Sequence, residues 1–218
     1  MVVVMVMVMV MVMVMARIVS MSTELIQLIW LASPALPVGG FSYSEALEAA
    51  IDHEHVHDEA SCANWLADQL HLSQARGDMA LMAQAIPAWQ ALQTERLREL
   101  SAWVHATRET FEMRLQTEQM GRSLLDWLRI QNKATEAALK LCSELRPTYP
   151  MAMSLALSLA KAPLDQALQA YAFGWAENMT QAALKAVPLG QVSGQKILAR
   201  LAHEIPEAVQ HAIALSDD

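Results

Sequence analysis

From Ser33 to Ser44 the chain reads Ser-Pro-Ala-Leu-Pro-Val-Gly-Gly-Phe-Ser-Tyr-Ser, the one place where an otherwise helical, Ala/Leu-rich sequence stops for punctuation. Pro34 and Pro37 fix φ and remove two backbone donors, while Gly39-Gly40 admits positive φ or close backbone approach. Apolar residues at helical spacing run into the segment from Leu25 to Leu31 and out of it from Ser42. The segment is therefore a shaped connection inside a helical protein. A second punctuated stretch, Lys185-Ala-Val-Pro188-Leu-Gly190-Gln191, stands near the far end.

The totals point the same way. With 218 residues, seven glycines and 6% aromatic content, the chain suits one sizeable helical domain and lacks the frequent turns of a β-sandwich. Its net charge of −8 comes without a basic stripe, which argues against nucleic-acid binding. Cys62 and Cys142 sit among apolar neighbours with no Cys-x-x-Cys, so they read as small hydrophobes in a reducing, cytoplasmic setting.

Residues 1–15 contain only Met and Val. No basic region precedes the run, it is shorter than the roughly 20 residues that span a bilayer, and it has no polar face. It is read as a non-native or disordered repeat, with the protein proper beginning at Met21 and Ser22 or Thr23 capping the first helix. Residues 21–218 are then a single-domain all-α bundle of roughly eight to ten helices.

Periodicity places those helices. A short one ends near Ser33; a second starts around Ser42 with Leu47, Ala50 and Ile51. Asp58 caps a third, with Trp65, Leu66, Leu70 and Leu72 on one side, and Gly77-Asp78 opens a fourth that Pro87 bends or ends. A long segment from Thr94 reaches Phe111, and Gly121 marks a possible break. Further helices cover Ala134 to Leu145, Pro150 to Pro163, and the stripe Leu168, Ala172, Trp175, Met179, Ala183 and Val187. Val192 to Ala202 and Glu207 to Leu215 follow, divided by Pro206. The run Met151 to Ala160 is apolar nearly all round, so it lies in the core or against another subunit.

Sharp enzymatic strings are few. His53-Glu54-His55-Val56-His57 satisfies the His-Glu-x-x-His pattern of zinc hydrolases, but Val56 is its only apolar residue and a zinc helix needs an apolar side. Gly190 to Lys196 resembles a phosphate loop and fails on spacing and on Ile197 after the lysine. The stretch from Thr107 to Ser123 is dense in Glu and Arg, with Arg108-Glu112 and Glu118-Arg122 at i, i+4 spacing. Such pairs serve a solvated face or buried ion pairs, where the arginine fork suits carboxylates. Gly174 within a helical stripe implies that something approaches the backbone there.

Taken together, three strings in order carry a resemblance: Leu31 to Ser44 with Leu47-Glu48; Arg108-Glu109-Thr110-x-Glu112-x-Arg114 through Gly121; and Trp175-x-Glu177-Asn178 through Lys185, Pro188, Gly190 and Gln191. The chain resembles the UreF family of urease accessory proteins from about Met21 onward. The resemblance implies an all-α, non-catalytic assembly factor without cofactor or bound metal. It further implies a homodimer that engages the accessory protein UreD/UreH, the GTPase UreG and apo-urease, and couples the GTPase to nickel insertion. Pro37, Gly39, Gly40, Ser42, Tyr43, Glu48, Arg108, Glu109, Glu112, Arg114, Glu177, Lys185, Pro188, Gly190 and Gln191 take structural or partner-facing roles on this basis. Family members usually continue into a C-terminal tail that helps engage UreD/UreH; here the sequence stops at Asp217-Asp218. Two other readings are an arginine-finger GTPase activator using Arg108 or Arg114, and a zinc hydrolase using His53, Glu54 and His57.

Overall fold

The computed structural model describes residue 11 and residues 21–39 and 45–215. Ten α-helices and a π-helical turn occupy these residues, with no strand among them: α1 (residues 21–32), α2 (Leu47–Asp52), α3 (Glu59–Asp68), the π turn (Gln69–Gln74), α4 (Asp78–Gln90), α5 (Thr94–Thr107), α6 (Phe111–Gln131), α7 (Glu136–Glu144), α8 (Tyr149–Ala160), α9 (Leu164–Ala186) and α10 (Gln191–Ala214). Phe41 and Ser44, together with the motif residues Gly40, Ser42 and Tyr43, lie outside the described residues.

Local chemistry sets most boundaries. Asp58 and Ser61 form a reciprocal capping box, Ser61 N donating to Asp58 Oδ1 at 2.8 Å and Asp58 N to Ser61 Oγ at 3.0 Å. Thr110 caps α6 and Thr135 caps α7 by accepting from the amides of Met113 and Ala138. Asn132 and Lys161 end α6 and α8 in the left-handed region.

The interior is built on α4 and α8, which pack on each other, with α6 against α8 and the long pair α9–α10 closing the other side. Nearly all of α8 is buried within one protomer, so its apolar circumference is used by the core. Trp89 of α4 donates to Ser154 Oγ of α8 at 3.0 Å, and that hydroxyl donates to Met151 O at 2.8 Å. The stripe from Leu168 to Val187 is buried as its spacing predicts.

Four expectations change. Helix α2 begins at Leu47, because Glu45 and Ala46 take positive φ in the turn before it. Arg108 to Thr110 separate α5 from α6, so Arg108 and Glu112 share no helix face. Gly121 does not break α6; a Cβ there would sit 2.3 Å from Pro147 O, so the glycine lets α6 close on the turn before α8. Pro206 does not divide α10, since it lies on an exposed face where Ala202, four residues back, is also exposed. The π turn produces a fifth difference. Its wider winding is seen in Ala75 N donating to Leu70 O at 2.9 Å; Leu72, about half a turn from Leu70, is exposed, and Gln74, about one turn on, is buried.

Candidate functional site

Three segments distant in sequence meet around a cleft of about 730 Å³. One wall is the loop after α1, including Pro34, Leu36 and Val38; another is the end of α5 with Arg108; the floor carries Tyr171, Gly174 and Trp175 of α9. Gly174 lets the end of α1 approach closely, a Cβ there meeting Ala32 O at 3.0 Å, as the interrupted helical stripe predicts.

A polar chain joins these walls. Glu45 stands at the exposed lip of the cleft, yet its carboxylate reaches the inner wall, where Oε2 accepts from Trp175 Nε1 at 2.9 Å and Gln74 Nε2 at 3.2 Å. Burial of that end pushes its pKa up, with the Trp175 hydrogen bond opposing the shift and the charge of Asp78 adding to it. The Tyr171 hydroxyl donates to Gln74 Oε1 at 3.0 Å. Beside this chain, Arg108 binds Asp78, the first residue of α4, at 2.5 Å, with both side chains largely buried. Burial works against the guanidinium charge, but Asp78 outweighs it and raises the Arg108 pKa. Burial first, and then the nearby carboxylates, keep the Tyr149 and Tyr171 phenols protonated well above their ordinary value.

The site therefore holds few groups poised for covalent chemistry. Its arginine is committed to Asp78, its carboxylate is shared by two donors, and its tyrosines titrate far above neutrality. The thiols lie elsewhere and are held by burial at about 11 for Cys62 and about 12 for Cys142. The His-Glu-x-x-His string is not helical: α2 ends at Asp52, Glu54 has φ 59°, and His53, Glu54 and His57 are exposed on a turn. The i, i+4 geometry that a zinc helix requires is absent there. Gly190 to Lys196 is the opening of α10, with Gly194 packed on Leu184 and Lys196 paired with Glu59 at 3.3 Å.

The other motif residues divide by location. Glu48 lines the cleft from the first turn of α2, and Pro37 is exposed on the loop beside Gly39, whose φ of 75° is the conformation that favours glycine. Glu109, Glu112 and Arg114 are exposed at the α5–α6 junction, next to Phe111 at 70% exposure. Glu118 and Arg122 pair at 3.4 Å as their spacing predicts. Glu177 is half-buried on α9. Lys185, Pro188, Gly190 and Gln191 are exposed at the α9–α10 turn, about 15 Å along α9 from Trp175 and apart from the cleft.

A family model for UreF matches residues 56–202. Proteins named "Urease accessory protein UreF" from Polaromonas sp. (strain JS666) and Paracidovorax citrulli are 60% identical over 197 residues and 58% identical over 199 residues. Each alignment covers 90% of this chain, and they cover 84% and 79% of the two relatives. The protein of the same name from Cupriavidus metallidurans is 43% identical over 195 residues, covering 89% of this chain and 85% of its own.

The chain belongs to the UreF family.

It is thus a urease accessory protein, not an enzyme by its family. No helix among its described residues is long and apolar enough to cross a membrane. Within this UreF chain, Glu45, Gln74, Asp78 and Tyr171 complete a site that the motif strings reached through the loop after α1, Glu48, Arg108 and Trp175. Two signals for them exist in the sequence: Asp78 follows the helix-opening Gly77, and Tyr171 lies one turn before Trp175.

Proposed function

We propose that this UreF chain is a non-catalytic scaffold for urease maturation. It dimerises, holds UreD/UreH and the GTPase UreG together, and couples the nucleotide state of the GTPase to nickel delivery into apo-urease. The observation that carries this reading is the convergence of the loop after α1, the Arg108 turn and Trp175 on one cleft, with an exposed, mixed-charge rim beside it. The inner side of that arrangement is consumed by its own hydrogen bonds and the Arg108–Asp78 pair. What it offers outward is surface: Phe111 and Met113 flanked by Glu109, Glu112 and Arg114, the composition of a surface that recognises a partner.

The arginine-finger alternative narrows to Arg114, because Arg108 is held by Asp78 while Arg114 is exposed. Pull-down of purified GTPase and UreD/UreH by this chain, with GTP turnover measured on the same samples, tests both. The scaffold reading expects a co-purifying complex that Phe111→Glu weakens at unchanged helicity. Failure to retain either partner would overturn it, and loss of stimulated turnover in Arg114→Ala with binding intact would favour the finger.

A further inference from the structure

We propose that the turn joining α2 to α3, from His53 to His57, binds one divalent first-row transition-metal ion through its imidazoles. The proposal concerns this turn alone and stands independently of the scaffold reading.

The backbone of the turn is fixed although most of its side chains are exposed. Helix α2 ends in a Schellman motif: His55 N donates to Ala50 O at 2.8 Å and Glu54 N to Ile51 O at 2.9 Å. Glu54 takes the left-handed position, at φ 59°, that glycine usually fills. Val56 is buried and pins the middle of the turn, its amide donating to Ala50 O at 3.1 Å. The amides of His57 and Asp58 both donate to Ser61 Oγ at 3.0 Å. Every amide from His53 to Asp58 therefore has a partner, His53 N donating to Ala49 O.

On that frame stand three of the chain's seven histidines. His57 Nδ1 lies 3.2 Å from Glu54 O. A carbonyl only accepts, so Nδ1 carries the hydrogen of that bond and the neutral ring keeps its lone pair on Nε2, the tautomer a metal requires. The same bond sets the ring against the peptide that joins Glu54 to His55. The rings of His53 and His55 lie 6.4 Å apart between centroids. Metal–nitrogen bonds of about 2.0–2.1 Å put two rings on one ion no more than about 6.5 Å apart, and this pair is already inside that limit. Among the described residues no three His, Cys, Asp or Glu side chains are already gathered to hold an ion. Here the exposed rings close in by rotation about χ1 and χ2 on a backbone that stays in place.

Charge and ligand type select the ion. Asp52, Glu54, Asp58 and Glu59 flank the rings, and no Lys or Arg occurs between Arg17 and Arg76. Lys196 of α10 reaches Glu59 at 3.3 Å, leaving the other three carboxylates to draw cations toward the turn. Imidazole nitrogen suits zinc, nickel and copper, whereas magnesium and calcium take shells of oxygen. The arrangement is a turn's and not the i, i+4 pair of a zinc helix. Its exposure leaves coordination positions open to water or to a further donor, so the ion exchanges, unlike one in a closed structural site.

Calorimetric titration of the full chain with zinc chloride alone, repeated with nickel chloride and magnesium chloride, tests this. One zinc or nickel ion per chain should saturate at micromolar concentration, and magnesium should not. His53→Ala/His55→Ala should weaken zinc binding at least tenfold at unchanged helicity. His203→Ala/His211→Ala, which removes two exposed histidines of α10, should leave it unchanged. Chemical footprinting gives a readout that needs no variant. Zinc should protect His53, His55 and His57 of the wild type from diethyl pyrocarbonate, while His203 and His211 stay reactive. No saturable binding, equal binding by the His53/His55 variant, or protection of the α10 histidines instead would overturn the assignment.

Discussion

Gly121→Ala is the substitution whose outcome the packing fixes most tightly. In an isolated helix the change would stabilise by about 1 kcal/mol, since glycine is the poorer helix former. Here the added Cβ would lie 2.3 Å from Pro147 O and 2.5 Å from Thr148 C, and both neighbours are backbone. No side-chain rotation relieves that contact, so α6 must back away from the turn before α8 by close to 1 Å. The same seam carries the Tyr149 N to Thr117 Oγ1 hydrogen bond at 3.2 Å, which such a shift would lengthen. Overpacking of this kind costs about 1–3 kcal/mol, and a clash this short against backbone belongs at the upper end of about 3 kcal/mol, leaving a net loss of about 2 kcal/mol after the propensity gain. For a domain of this size that lowers Tm by roughly 4–8 °C, read by circular dichroism. Two sibling substitutions calibrate the argument. Gly174→Ala meets Ala32 O at 3.0 Å and should be near neutral, while Gly194→Ala meets only the mobile end of Leu184 and should be neutral to about 1 kcal/mol stabilising. A Gly121→Ala protein that melts at or above the wild-type temperature, or the reverse order among the three, would refute the reasoning.

Other outcomes follow from the same geometry. Arg108→Ala leaves the Asp78 carboxylate unpaired in a largely buried position and should cost about 3 kcal/mol in urea unfolding, with Arg108→Ala/Asp78→Asn recovering much of it. The raised pKa of Glu45 means that the folded state holds its proton to higher pH than the unfolded chain does, so this group's contribution to stability falls as pH rises from its ordinary value of 4.5 through the raised folded value. Glu45→Gln should remove that fall, and parallel pH profiles of the two proteins would contradict it. Lys185→Ala, an exposed change in the last turn of α9, should cost at most about 1 kcal/mol of stability, and a stable variant that activates urease normally would remove Lys185 from the partner surface. Deleting residues 1–20 should leave helicity and Tm unchanged and raise solubility, as judged by melting and sedimentation.

What was legible in the sequence is what local chemistry decides. Asp58 before Glu59, the stripe from Leu168 to Val187 and the close approach at Gly174 each follow from spacing or from one residue's backbone preference. Gly121 and Pro206 were misleading because their effect depends on what lies opposite: a neighbouring backbone in one case, solvent in the other. At the π turn residue type misled where position did not: apolar Leu72 stands about half a turn from Leu70 and is exposed, while polar Gln74, about one turn on, is buried. The cleft was half legible. Arg108 and Trp175 stand in motif strings, but their partners Asp78 and Glu45 are 30 and 130 residues away, and only the tertiary fold pairs them.

The most direct test of the scaffold account is urease activity recovered from apo-urease, nickel, bicarbonate, GTP, UreD/UreH and the GTPase, with this chain present or omitted. The account predicts that activation depends on the chain and is lost with the folded Phe111→Glu/Met113→Glu variant. Equal recovery without the chain, or full recovery with that variant, would contradict it.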